Sequence, residues 1–231
     1  MKKIKIFFTI AFFVIPILAG GLSFADQRRG ERTYEVTITN LTRGQIISPP
    51  IVISHDENFR LFTLGEPASH ELYPLAEDGD TVPLTDHIKT LPSVFDYAVA
   101  APLVGPSPLF PGESVTYEIG TRGRARFISA AGMLVTTNDA FFAIQGIRVP
   151  KKGETVVDAA AYDAGSEANS EDCDFIPGPP CGNGGFRDTG DAEGYVHIHA
   201  GIHGIDIDDM VIPAMHDWRN PVAKITIRRL R

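Results

Sequence analysis

Cysteine, tryptophan and basic charge are all scarce, and each scarcity excludes something. Only two cysteines occur in 231 residues, Cys173 and Cys181, together with one tryptophan, Trp218. Seven residues separate the cysteines, too many for the C-x-x-C of a redox-active pair. Lys and Arg number 21 against 29 Asp and Glu, a net charge of −8 at pH 7. Neutralising phosphates needs clustered Lys and Arg, so nucleic acid is not an expected partner. G-x-S-x-G and a helical H-E-x-x-H are also missing, which leaves Ser54, Ser114 and Ser129 without a nucleophile elbow and the histidines without a zincin helix. Beyond residue 25 no apolar run approaches the roughly 20 residues of a spanning helix. No repeat and no linker divides the remainder into two cores.

What is present begins with an address. Met1-Lys2-Lys3-Ile4-Lys5 is a basic head, residues 6–22 are almost wholly apolar, and Ser23-Phe24-Ala25 supplies small residues for a cut before Asp26. This predicts a signal peptide over 1–25, a short tail over 26–32 and one domain over 33–231, in a secreted or periplasmic protein. Removing three lysines leaves 18 basic against 29 acidic residues, about −11. Neither cysteine lies near the cut, so a lipid-modified N-terminus is not expected. In an oxidising compartment Cys173 and Cys181 read as a local disulfide, adding roughly 2–3 kcal/mol through its short loop.

The mature chain reads as all-β. Residues 34–40 and 222–228 alternate apolar and polar, and further β-like runs fall at 46–53, 114–119, 125–136, 155–160 and 195–199. Pro49-Pro50 bends the second of these runs. Residues 66–76 and 86–91 read as short helical excursions. Residues 163–193, rich in Asp, Gly, Asn and Pro, form a long loop that carries the disulfide, and a loop of that length inside a domain is usually functional or disordered. Twenty-two Gly and 17 Pro punctuate short strands, a pattern that suits an antiparallel sandwich better than a βαβ repeat.

Two constellations carry chemistry. The first is acidic: Asp139 at a strand tip, then Asp163 and Glu167 flanking Gly165. Carboxylates at the loops of a sandwich suit Ca2+, which takes six to eight oxygens; solvated loop acids account for them equally. The second is His197-Ile198-His199, two imidazoles on one strand face, with His203 just beyond and His216-Asp217 further on. His197, His199 and His203 make a three-nitrogen set for Zn2+ or Cu2+, with Asp217 or Glu193 as a base. The competing account has these histidines hydrogen-bonded to loop carbonyls or acids.

At the acidic loop the sequence resembles a known family. Tyr162-Asp163-Ala164-Gly165-Ser166-Glu167 is similar to the W-D-A-G-T-D motif of the spondin N-terminal domain, and Thr137-Asn138-Asp139 to the S-P-D segment before it. The terminal strands fit the two ends of that domain, so the resemblance covers residues 33–230. It implies a C2-like antiparallel β-sandwich binding one Ca2+ through Asp139, Asp163 and Glu167, with carbonyls completing the shell. Tyr162 stands where the family has Trp and Glu167 where it has Asp, a longer arm that shifts the ion or its denticity. The implied role is a monomeric, non-enzymatic module for binding or adhesion outside the cell, to an unnamed protein or glycan. The competing expectation is an exported Zn2+ or Cu2+ protein built on the histidines. The two differ in pH response, because imidazoles must lose protons near pH 6 to bind metal.

Smaller features complete the reading. His55, Asp56 and Glu57 are adjacent and suit an acid–base pair or solvated charge. Arg122, Arg124 and Arg126 would share one face of a strand, for an anionic sugar or simply for solvent. Trp218 reads as core or cap, and Asn40-Leu41-Thr42 is a formal glycosylation sequon.

Overall fold

Alternation of branched and polar residues builds the two strands at the ends of the domain. β1 (Glu31–Asn40) buries Tyr34, Val36 and Ile38, and β9 (Ala223–Arg229) buries Ile225 and Ile227. They pair antiparallel, Val36 opposite Ile227 and Ile38 opposite Ile225, with β4 (Ser114–Arg122) on the other side of β1. A computed structural model describes residues 30–99, 104–105, 107–205 and 210–230. The expected signal peptide and most of the tail lie outside the described residues.

A second sheet faces the first. It contains β3 (Val94–Val99), β2 (Ile51–His55), β5 (Phe127–Met133) and β6 (Ala140–Arg148), in that order. Its inner face adds Val52, Ile128, Ala130 and Phe142 to the core formed with Val36, Ile38 and Ile225. Its outer face is covered as well: α1 (Tyr73–Asp78) and α2 (Val82–Ile88) bring Leu72, Leu75 and Leu84 against Ile51, Ile53 and Phe141. Strands β2 and β5 and the first half of β6 are therefore buried on both sides.

β7 (Glu154–Asp163) joins the two sheets. Its first six residues pair with β9, from Glu154 opposite Arg228 to Ala159 opposite Ala223. Its last four pair with β6, from Ala160 opposite Ala143 to Asp163 opposite Ala140. A strand that changes sheets in this way makes the corner of a sandwich. β3 comes back beside β4, so the nine-stranded sheet folds over into a nearly closed antiparallel sandwich. The all-β sandwich with short helical excursions is as the strand pattern predicts.

Between β7 and β8 (His197–Ile198) runs the long loop, with Cys173 and Cys181 disulfide-bonded within it. Arg187 ties that loop to the end of α1, through Glu77 at 2.5 Å and through Asp78. Among the described residues no helix is long and apolar enough to cross a membrane.

Several boundaries depart from the pattern. The helices fall at 73–78 and 82–88 because Pro74 and Pro83 occupy their first turns, where a missing N–H costs nothing. Ile47 makes only isolated bridges to Leu109 and Leu134, and β2 starts after Pro50. Arg122, Arg124 and Arg126 do not share a strand face. Arg122 ends β4, Gly123 and Arg124 form the hairpin turn, and β5 begins at Phe127.

Candidate metal centre

Strand register unites two constellations that are far apart in sequence. Asp163, the last residue of β7, lies opposite Ala140 on one side and opposite His197 of β8 on the other. Asp139 immediately precedes Ala140, so Asp139, Asp163 and His197 come from three adjacent chain segments. The turn after Asp163 needs glycine: Gly165 has φ +66°, and a Cβ there would come within 2.4 Å of the Tyr195 carbonyl.

Asp163 is fully buried. Its Oδ1 accepts from Gly165 N at 2.7 Å, and its Oδ2 from Asn169 Nδ2 at 2.6 Å. The same Asn169 amide donates to Glu193 Oε1 at 2.9 Å, holding the loop exit beside the loop entry. His197 donates from Nδ1 to the Ile198 carbonyl at 3.0 Å, which in the neutral ring leaves the lone pair on Nε2. That Nε2 is buried with no hydrogen-bond partner and lies 3.5 Å from Asp163 Oδ1. With the ring neutral, these two acceptors repel, and either a proton on Nε2 or a metal cation between them relieves the contact. Donor atoms of Asp163, Glu193 and His197 all lie within 4.8 Å of one another, the one such set of three among the described residues. Ligands about 2.1 Å from a tetrahedral ion are about 3.4 Å apart, so the Asp163–His197 pair already has that spacing.

His199 is adjacent but prepared differently. Its Nδ1 accepts from Gly201 N at 3.0 Å, so the proton of the neutral ring sits on Nε2, 3.8 Å from Asp163 Oδ2. Burial, reinforced by the charges of His197 and His203, lowers its pKa to about 3. His199 is thus a neutral donor facing Asp163. His203 turns away: its side chain is exposed, with Nδ1 4.0 Å from Glu171 Oε1. The three-imidazole set expected from His197, His199 and His203 is not assembled, because the loop after Gly201 follows Glu171 instead.

The three expected calcium ligands are all buried but do not converge as a set. Asp139 Oδ2 is saturated by Ser166 N (2.7 Å), Ser166 Oγ (3.1 Å) and Glu167 N (3.1 Å), while Oδ1 has no partner. Glu167 Oε1 accepts from Asp188 N at 2.8 Å, and Oε2 has no partner. Its charged neighbours are Arg187, Glu77 and Asp78 at the end of α1. Burial raises Asp139 well above the usual carboxylate range, and the Asp163 charge adds to this. Burial likewise raises Asp163 against its hydrogen bond from Asn169, and pushes Glu167 to about 7.

Glu193 enters the site where the sequence suggested only a base; its signal was its place four residues before His197, at the exit of the loop. Beside His199 opens a cleft of about 300 Å3, lined also by His203, Asp217, Trp218 and Arg219. Trp218 is buried and its ring lies 5.0 Å from that of His199, in keeping with a core role. The other small features have structural partners. His55 is buried between the Asp56 carbonyl (2.7 Å) and Ser129 Oγ (2.8 Å), with Phe59 and Phe127 against its ring. Asn40 is fully buried and donates to the Gln45 and Leu109 carbonyls, so its amide is not open to a glycan. No family model and no curated protein matches the chain.

Proposed function

We propose that this is an exported metal-binding module in which one divalent cation, held by Asp163, Glu193 and His197, closes the ends of loop 164–196. The ordered loop then serves as a binding surface for an extracellular protein or glycan. The observation that carries the reading is the buried, unpartnered His197 Nε2 set 3.5 Å from Asp163 Oδ1. One nitrogen with two carboxylates suits Zn2+ and its neighbours better than Ca2+, which prefers an all-oxygen shell. Export is supported by residues 1–25 and by the disulfide. The role is binding and ordering, not turnover: the cation links loop entry to loop exit.

Calcium remains the second reading, favoured by the unpartnered Asp139 Oδ1 and Glu167 Oε2. It is also the reading that goes with the spondin resemblance, whose motif residues build the turn after Asp163.

Calorimetric titration of chelated protein with Zn2+, Mn2+ and Ca2+ separates the two. One equivalent of Zn2+ or Mn2+, lost in His197→Gln and weakened below pH 6, supports the Asp163 centre. Calcium binding that His197→Gln leaves intact and Glu167→Gln abolishes would transfer the site to the acidic set. No binding of any of the three removes both readings.

A further inference from the structure

The end of the sandwich away from Asp163 has the opposite charge. β7 has ten residues, which at about 3.3 Å each put its two ends roughly 30 Å apart. At the Glu154 end, four chain segments meet around a cleft of about 260 Å3: the start of β1, the β4–β5 hairpin, the β6–β7 hairpin and the end of β9. They contribute Arg32, Arg126, Arg148, Lys151, Lys152 and Arg229, and no carboxylate lines the cleft. Its floor is apolar, from Val149, Pro150 and the buried ring of Tyr34, whose hydroxyl donates to the Pro150 carbonyl.

This concentration is notable in a chain where acids outnumber bases 29 to 21. Several other cations are paired: Lys89 with Asp86, Arg124 with Asp56, Arg187 with Glu77 and Asp78, Arg219 with Asp217, and Arg228 with Glu35. Arg43, Arg60, Arg122 and Lys224 stand unpaired among the described residues, but singly and outside this cleft. Among the described residues, Arg32, Arg126, Arg148, Lys151 and Lys152 have no carboxylate partner. Like charges gathered without counter-charge cost stability unless an anion relieves them. A second cleft of about 230 Å3 shares Arg126 and Arg148 with the first and continues it to Phe127 and Arg124, with Glu57 and the Asp56 partner of Arg124 closing its far end. The two together make an elongated cationic track.

We infer that this track binds a linear anionic polysaccharide, a chain whose repeated sulfate or carboxylate groups lie along the guanidinium row. Guanidinium forks match both groups bidentately. An extended track favours a polymer over a single small anion. A single-stranded nucleic acid would need open aromatic platforms for its bases, whereas Tyr34 of the first cleft is buried and Phe127 of the second is stacked on His55. The inference does not depend on the metal centre at the other end.

Dextran sulfate is the probe, with neutral dextran of equal length as its control, titrated against the purified protein at several salt concentrations. Binding to dextran sulfate should weaken with salt, and dextran should not bind. Arg126→Ser/Arg148→Ser should lower affinity at least tenfold and flatten the salt slope. Arg43→Ser/Lys224→Ser, which changes the net charge equally away from the track, should bind as the unmodified protein does. Arg126→Lys/Arg148→Lys keeps the charge and should lose a smaller factor, because the forked contacts go while the charge stays. Equal loss in both serine pairs would reduce the effect to overall charge and overturn the inference. Equal binding of neutral dextran, or tighter binding of oligo-dT than of dextran sulfate, would overturn it as well. All substituted side chains except those of Arg43 and Lys224 lie in the track, and thermal melts of each variant check that the sandwich stays intact.

Discussion

Glu171 and Asp163 are both buried carboxylates, eight positions apart, yet their surroundings are opposite. Glu171 accepts three backbone N–H groups, from His203 at 2.5 Å, Gly204 at 2.7 Å and Ile205 at 3.1 Å. Its own backbone sits at φ +57°, a rare conformation for a glutamate. Asp163 has one backbone donor and one side-chain amide, and it faces Glu193 and the lone pair of His197. A carboxylate surrounded by N–H groups is complete within the protein. One surrounded by other acceptors is stable only when protonated or when a cation joins it. The difference marks Glu171 as architecture, where it fastens loop 201–205 to the disulfide loop, and supports the proposed role of Asp163 as a ligand.

The largest test of that division is Asp163→Asn. It removes a ligand and keeps the shape, so metal affinity should fall by about a thousandfold or more by calorimetry, roughly 4 kcal/mol. The chelated variant should melt close to chelated unmodified protein, because the buried charge that is removed offsets the one hydrogen bond, from Gly165 N or Asn169 Nδ2, that the new amide nitrogen cannot accept. A variant that melts much lower without metal would place Asp163 with Glu171 as architecture.

Glu171→Ala should behave inversely. Three buried N–H groups lose their acceptor, and unfolding free energy should drop by about 3 kcal/mol in urea. Metal stoichiometry should be unchanged. Loss of metal binding with no loss of stability would break the comparison from the other side.

How far these roles were legible depends on what covers each strand. β1 and β9 announce themselves because one face meets solvent, so Tyr34, Val36 and Ile38 alternate with polar neighbours. Ala140-Phe141-Phe142-Ala143-Ile144 does not alternate, because helices cover its outer face and the core its inner face; a run buried on both sides has no period to read. The site divides in the same way. Asp163 and His197 were each recognisable as ligand types, from the acids around Gly165 and from the paired histidines. That they face one another follows from a β7–β8 register closed over more than thirty residues, and nothing local encodes it. His199 and His203 are set apart from His197 for a related reason: spacing gives the face of a strand but not that a Gly201 N–H occupies His199 Nδ1, nor that His203 lies against Glu171.

Glu167 gives a smaller effect, read through pH. Its folded pKa is raised from 4.5 to about 7, so between those values the folded chain keeps a proton that the unfolded chain releases. Stability of the chelated protein therefore carries a loss that grows as pH rises from 4.5 and is complete above about 7. Glu167→Gln should remove that loss; the shift corresponds to about 3 kcal/mol unscreened, and with solvent screening at the partly open loop the gain should be about 2 kcal/mol at pH 8 and none at pH 4. His199 acts in the opposite sense: lowered from 6.5 to about 3, it contributes stability that is present above 6.5 and lost as pH falls towards 3. Melting curves of the two proteins across pH 4–8 separate the contributions. Addition of Ca2+ should leave the Glu167 effect in place if the cation belongs to Asp163, and erase it if Glu167 is a ligand.

The smallest effect belongs to Glu193→Gln. Glu193 is exposed, and Asn169 bridges it to Asp163. The glutamine keeps an oxygen able to accept from Asn169, so the loop exit stays where it is and only the charge and one ligand oxygen change. Affinity for Zn2+ should fall about tenfold, or 1.4 kcal/mol, with no change in the pH at which binding is lost. That pH should stay with His197, whose Nε2 must be free of protons to bind. A loss as large as that of Asp163→Asn would move the cation outwards to the exposed rim of the loop. No loss at all would leave Asp139, whose Oδ1 is buried and unpartnered beside Asp163, as the second carboxylate. The cation would then lie inside the strand ends and not across the mouth of the loop.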